Sequence, residues 1–338
     1  MKFLSFYAGA GCILAAAIWG FAFVVVKDGL DYVGALYMMA FRFSVAAAAL
    51  SLAFWRRFRK LNRIYIRNGA VLGGFLFCAY FFQTAGCNFT TPGKNAFLTT
   101  LYVVLVPLLR WPLFRLRPAP SLFAAAVLQA AGIGLLSAGS AAAAGFSLNM
   151  GDVLTLVCGV FLALQMVCQE QMNRRGEADD PVLLSLLEFI SVAVLSWCAA
   201  PFYRDGGGFS LELQAAPIST LKNPRVLASM LYLGLCSTML CYVLQNVGLN
   251  YLPAPLVSLL ISFESVFGML FSMLIPVNGG RERLSASGAA GCVLIFLAVL
   301  LAEGRAAVRL IRRRASGGGT RQHQRLPSTT RSCPAKSR

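Results

Sequence analysis

Nine side chains able to bind or move a charge lie in or beside apolar stretches of this 338-residue chain. Arg42 and Glu264 each stand near the middle of such a stretch, and Glu188 stands nearer the end of another. A charge at mid-bilayer depth costs about 2.5–3.5 kcal/mol on insertion scales, so such groups normally face protein or a water-filled cavity. The chemistry open to Arg42 is anion binding, or a structural tie to a glutamate or to backbone carbonyls. For Glu264 it is solute binding, proton uptake, or a structural ion pair; Glu188 has the same choices and also simple solvation. Gln83 and Gln245 can hydrogen-bond either a solute or a neighbouring helix. Trp19, Tyr80, Tyr102 and Tyr242 supply aromatic walls or lipid-interface anchors.

Other chemistries have little support. The single histidine, His323, falls in a basic tail. Ten cysteines are scattered without a C-x-x-C pair, which reads as buried apolar thiols rather than a zinc site or disulfide framework. No phosphate-cradling glycine loop and no cluster of His, Asp or Glu marks an enzyme, and no cofactor or metal is expected. The net charge of +17 is concentrated after Glu303, where ten Lys and Arg meet no acid. A basic run of that kind is a solvated tail or topology anchor rather than a nucleic-acid site.

The elements that hold these residues follow from composition. Hydrophobic residues are 58% and charged residues 13% of the chain, with a mean hydropathy of +0.69. Globular domains carry roughly 25% charged residues, so this is an all-α polytopic membrane protein. Ten spans are expected, at 4–26, 33–55, 68–89, 94–114, 121–140, 152–172, 182–203, 226–248, 253–275 and 284–303. The first looks like a leader peptide only superficially. Pro107 should kink the fourth span. Asp152 suits the dipole at the start of the sixth. Lys94 opens the fourth span as an anion gate or a snorkelling cation.

One pattern occurs twice. Tyr80-x-x-Gln83-x-x-Gly86-x-Asn88 returns as Tyr242-x-x-Gln245-x-x-Gly248-x-Asn250, 162 residues on, and Gly132 and Gly291 stand 159 apart. With the N-terminus inside, Lys and Arg divide 22 to the inner side and 7 to the outer, leaving Arg42 in the membrane. Both termini are therefore expected in the cytoplasm. Five spans per half put the second half upside down relative to the first, so the ten helices form two inverted five-helix repeats. The expected divisions are residues 1–145, 146–303 and a basic cytoplasmic tail, 304–338.

At these residues the chain resembles the drug/metabolite transporter superfamily, in its EamA-type ten-helix branch. The resemblance rests on Ile18-Trp19-Gly20, Arg42-Phe43, Tyr80-x-x-Gln83, the run from Gly93-Lys94-Asn95 to Pro107, Gly151-Asp152 and Ser262-Phe263-Glu264-Ser265. It covers about residues 4–303. Two places depart from it. Ser265 stands where the family often has proline, and Arg281-Glu282 follows an Asn-Gly-Gly insertion where Gly-Glu is usual. The resemblance implies a secondary transporter of the cell membrane, moving a small metabolite such as an amino acid or nucleoside without ATP hydrolysis. Proton coupling through Glu264 or Glu188 is expected, and a homodimer is left open. A non-transporting receptor or assembly factor and an integral membrane enzyme are the competing classes.

Overall fold

The computed structural model describes residues 2–115, 120–141, 149–177, 179–205, 208–210, 215–276, 285–298 and 301. The basic tail, the insertion near Arg281 and His323 lie outside them. The helices are α1 (Lys2–Leu30), α2 (Ala35–Ala53), α3 (Arg63–Cys87), α4 (Pro92–Thr99), α5 (Tyr102–Phe114), α6 (Pro120–Ala141), α7 (Met150–Arg174), α8 (Pro181–Ala199), α9 (Pro224–Leu231), α10 (Cys241–Tyr251), α11 (Ala254–Ile261), α12 (Glu264–Leu274) and α13 (Ala286–Ala298). α4 with α5 and α11 with α12 are single spans broken at a turn, whereas α9 continues without a break into α10 through residues 232–240. The described residues thus form ten helical segments, seven of them long and apolar enough to cross a membrane. Every long stretch is helical because hydrocarbon leaves backbone polar groups no partner but each other.

The packing is that of two inverted halves. α3 lies against α7 and α8, and in the matching place the α9–α10 span lies against α1 and α2; α2 and α8 cross at the centre. The repeated glycines sit at close approaches in both halves. A Cβ on Gly86 would sit 2.8 Å from the Gly151 carbonyl oxygen, and one on Gly248 would sit 2.6 Å from Cys12 Sγ. Between helix axes that close, only a hydrogen fits. Gly132 likewise meets the Gly291 carbonyl across α6 and α13.

Two faces can be told apart. The arginine-rich face carries the 3-10 turn Trp55–Lys60 between α2 and α3. Arg57 and Lys60 both pair with Asp180, and Arg67 pairs with Glu177. Asp180 also caps α8 by accepting from Leu183 N–H. Burial alone would raise its pKa, but that cap and the two cations outweigh it and hold the carboxyl below the usual carboxylate range. On the opposite face a short antiparallel hairpin, β1 (Tyr203–Arg204) with β2 (Gly208–Phe209), brings Asp205 onto Ala35 N–H and Asn88.

Three local expectations are corrected. The fourth span breaks at Thr100–Leu101, ahead of Pro107, which lies inside α5. Proline is not the cause, because the ninth span breaks 162 residues later, at Ser262–Phe263, where the counterpart of Pro107 is Met269. Lys94 is neither a free gate nor a snorkelling cation, since its Nζ donates to the buried Asp152 carboxylate at 2.7 Å. Asp152 in turn closes a capping box with Asn149 at the start of α7. Glu188 is not solvated but fully buried.

Candidate functional site

A cavity of about 580 Å³, counted to its mouth, lies where the two halves meet. Its wall includes Trp19, Arg42, Tyr80, Gln83, Tyr102, Tyr242, Gln245 and Glu264, so eight of the nine residues singled out in the sequence share one space. Glu188 is the ninth and is not part of the wall. Val26 and Asn95, both near the face opposite the arginines, line it as well. The hydrogen bond from Gln245 Nε2 to Gln165 Oε1 (3.2 Å) lies toward the arginine-rich side.

Arg42 is held from one side only. Its Nε donates to Thr238 Oγ1 at 2.9 Å and one Nη donates to Ser237 Oγ at 3.0 Å. Its guanidinium lies over the Tyr80 ring, 4.7 Å from the centroid. All these partners are neutral, and among the described residues Arg42 makes no ion pair, although it is only 2% exposed. Of the two structural alternatives, a tie to a glutamate is not what the structure shows.

The partners of Arg42 come from an unusual backbone. Residues Tyr232–Leu240, between α9 and α10, form a π-helix, whose wider turn is most often found at functional sites. Ser237 and Thr238 lie within it, and the Ser237 carbonyl accepts from Trp19 Nε1 at 2.7 Å. One turn of π-helix thereby positions both the cation and an aromatic wall. Nothing in the sequence announced it. Two small hydroxyl residues, Ser237-Thr238, in an apolar run were the available signal, and they were overlooked.

Glu264 sits at the first turn of α12, directly after the break in the ninth span, and Tyr102 sits at the matching place on α5. Tyr102 donates its hydroxyl to Glu264 Oε1 at 3.2 Å. The two broken helices therefore meet at their breaks, with a carboxylate in one half and its donor in the other. Glu264 also has no ion-pair partner among the described residues and is 5% exposed. The tyrosines complete the wall. Tyr80 and Tyr242, the first residues of the repeated pattern, lie 5.9 Å apart by ring centroid, and Trp19 packs edge-on to Tyr242 at 5.1 Å. Gln83 donates to Thr99 and Asn95 donates to the Gln83 carbonyl, which ties α3 to α4 beside the break. Thr99, Asn95 and Ser237 are wall residues that the sequence reading missed.

A polar cavity at helix breaks between inverted halves defines a multi-pass membrane transporter. The comparisons agree. The EamA-like transporter family matches residues 7–138 and again residues 149–303. An "uncharacterized transporter" of Archaeoglobus fulgidus is 29% identical over 298 residues, spanning 87% of this chain and 85% of that one. A crystal structure of another protein superposes with a TM-score of 0.63 at 19% identity, over 91% of this chain and 98% of that chain, which shows a shared fold. The chain belongs to the EamA-like transporter family.

Proposed function

We propose that the protein is a secondary transporter of a small zwitterionic metabolite of the amino-acid class, exchanged for protons by alternating access. Its two halves would be the repeats at residues 1–145 and 146–303. The observation that carries the reading is the pair of unpaired opposite charges in one cavity. Arg42 has only neutral partners and Glu264 only Tyr102. Leaving a charge buried without a counter-ion is costly. A solute bearing a carboxylate and an ammonium group satisfies both ends at once. The aromatic walls suit its apolar portion, and Gln83 and Gln245 offer further hydrogen bonds.

The same arrangement suggests the coupling. A proton and an ammonium group compete for one carboxylate, Glu264, so the cavity holds one or the other, which is the requirement for exchange. The arginine-rich face is read as cytoplasmic under the positive-inside rule, in a plasma membrane. No enzymatic activity is proposed, and self-association as a homodimer is compatible with this arrangement.

A thermal-shift screen of purified protein against amino acids, nucleosides, sugars and organic cations tests the reading. Stabilisation is expected from solutes with both an amine and a carboxylate, and much less from their esters or N-acetyl forms. At a hundredfold excess over Kd the expected gain is about 2.7 kcal/mol. Stabilisation by neutral sugars or simple organic cations alone would overturn it. Uptake into proteoliposomes that ignores an imposed pH gradient, with a flat profile from about pH 5 to 8, would remove the proton from the scheme.

A further inference from the structure

Glu188 is the residue that the cavity leaves unexplained. It is fully buried, and neither carboxyl oxygen has a hydrogen-bond partner among the described residues. The side-chain amides of Asn246 and Gln165 face it without closing a bond on it. Asn246 is itself half satisfied. Its Nδ2 donates to Ser185 Oγ at 2.7 Å, while its Oδ1 is an orphaned acceptor. An ionised carboxylate in such a place lacks a counter-charge, and it faces an orphaned acceptor that it cannot satisfy. One proton removes both deficits, because a carboxylic acid O–H can donate to Asn246 Oδ1.

These groups are not isolated. Gln245 of the cavity wall bonds Gln165, and Gln165 Nε2 donates to Gln169 Oε1 at 3.1 Å. Gln165, Gln169 and Asn173 follow at four-residue steps along α7 toward the arginine-rich face, and Asn246 and Asn250 do the same on α10, which packs against it. Gln169 Nε2, both polar atoms of Asn173, Oδ1 of Asn246 and Asn250 and both oxygens of Glu188 are orphaned. That makes seven atoms on one track, where native proteins leave few unsatisfied. Water entering in another state of the protein would satisfy such a track.

The inverted architecture says which state. α2 and α8 are both nineteen residues long, and Arg42 and Glu188 are each the eighth residue of their helix. Glu188 is thus the counterpart of Arg42 in the opposite half. In an inverted repeat, exchanging the conformations of the halves turns the cavity to the other face.

We propose that Glu188 is a proton station on the arginine-rich side, carrying a proton donated to Asn246 and releasing it through the path bordered by Gln165, Gln169, Asn173 and Asn250. On release the O–H bond of Glu188 breaks, the proton leaves on water toward that face, and the carboxylate remains for Asn246 to meet with its Nδ2 after its amide turns. The charged and titratable groups on the surrounding helices are Arg42 on α2, Tyr80 on α3, Tyr242 on α10 and, farther along α7, Glu170 with Arg110 and Arg174. At the start of α8 are Asp180 and its cations. None forms an ion pair with Glu188. Describing the station as part of coupling rests on the transporter reading; its protonation does not.

Infrared spectroscopy of the full chain in lipid tests it without a ligand. A protonated-carboxyl band is expected at pH 7, absent in Glu188→Gln, and moved to higher frequency in Asn246→Val, where the acceptor is gone. In heavy water the band should shift, and more slowly in Gln169→Leu. A band unchanged by Glu188→Gln, or a carboxylate already ionised at pH 6 and shifted by added sodium, overturns the proposal. A labelled amino-acid mixture separates it from the transporter reading. If wild-type protein takes up none of the mixture while the band behaves as stated, transport fails and the station stands. If Glu188→Gln loses the band but keeps wild-type proton-driven uptake, the station is not part of coupling.

Discussion

Replacing Arg42 by methionine separates binding from folding. The two bonds lost go to Ser237 and Thr238 hydroxyls, and each hydroxyl can turn onto a carbonyl of its own helix, as Ser and Thr commonly do. No acceptor is then left unsatisfied, and the desolvated guanidinium disappears with them. Methionine keeps the apolar stem out to about the position of Nε and leaves only the place of the guanidinium beside Tyr80 to water. The net change in stability is therefore about 1 kcal/mol or less in either direction. Binding is different. A charge-assisted bond from a buried guanidinium to a solute carboxylate contributes about 2–3 kcal/mol, so its loss weakens Kd by about 30- to 150-fold.

The assay is a pair of thermal-shift isotherms on purified protein, one with the stabilising amino acid and one with the corresponding amine lacking its carboxylate. Wild-type protein should prefer the acid by that factor, and Arg42→Met should bind the two alike. The opposite pattern refutes the reasoning. If Arg42→Met loses several kcal/mol of stability while the acid binds within about threefold of wild type, the guanidinium holds the helices and not the solute.

Other consequences concern the frame around the site. Lys94→Met strands the fully buried Asp152 carboxylate and should cost about 3–5 kcal/mol in thermal unfolding. Adding Asp152→Asn should recover part of that, and a double variant worse than either single one would count against the pair. Gly86→Ala forces a methyl against the Gly151 carbonyl and Thr155 Oγ1, each 2.8 Å away, and should destabilise by about 1–3 kcal/mol; unchanged melting would mean that α3 and α7 separate freely. The depressed pKa of Asp180 gives stability present above its unfolded value, near pH 4, and lost as pH falls through the lower folded value. Asp180→Asn should be less stable at pH 7 and lack that acid limb, so an identical pH profile for the two proteins would exclude the linkage.

The architecture was legible because its causes are one-dimensional. Membrane length, Lys and Arg placement and a repeat at a fixed offset are all properties of the string, and they lead to ten helices in two inverted halves. Most of the cavity wall was legible for a related reason. Polar groups in hydrocarbon are rare enough that Arg42, Gln83, Gln245 and Glu264 stand out by type alone. What depends on where two helices touch was hidden. The π-helix at Ser237 and the pairing of Lys94 with Asp152 are set by neighbours distant in sequence. Glu188 was misplaced because its depth was judged from its distance to a span end. Its burial comes from the orientation of its helix face, and Leu187 beside it packs against Gly69 of α3.

The repeat explains why the site is chemically lopsided. Where the halves agree, at Tyr80 with Tyr242 and Gln83 with Gln245, the residues build walls and joints that both access states require. Two of the matched places where they differ are differences in charge. Tyr102 answers Glu264 across the helix breaks, and Arg42 answers Glu188 at the same step of α2 and α8. A symmetric pair of arginines or of glutamates would give each half the same preference for a charged solute and nothing to exchange it against. In the proposed exchange, opposite charges at matched positions would give the two access states different ionic requirements. A proton gradient would act on that difference, because a ligand shifts a two-state equilibrium only by its differential affinity for the states.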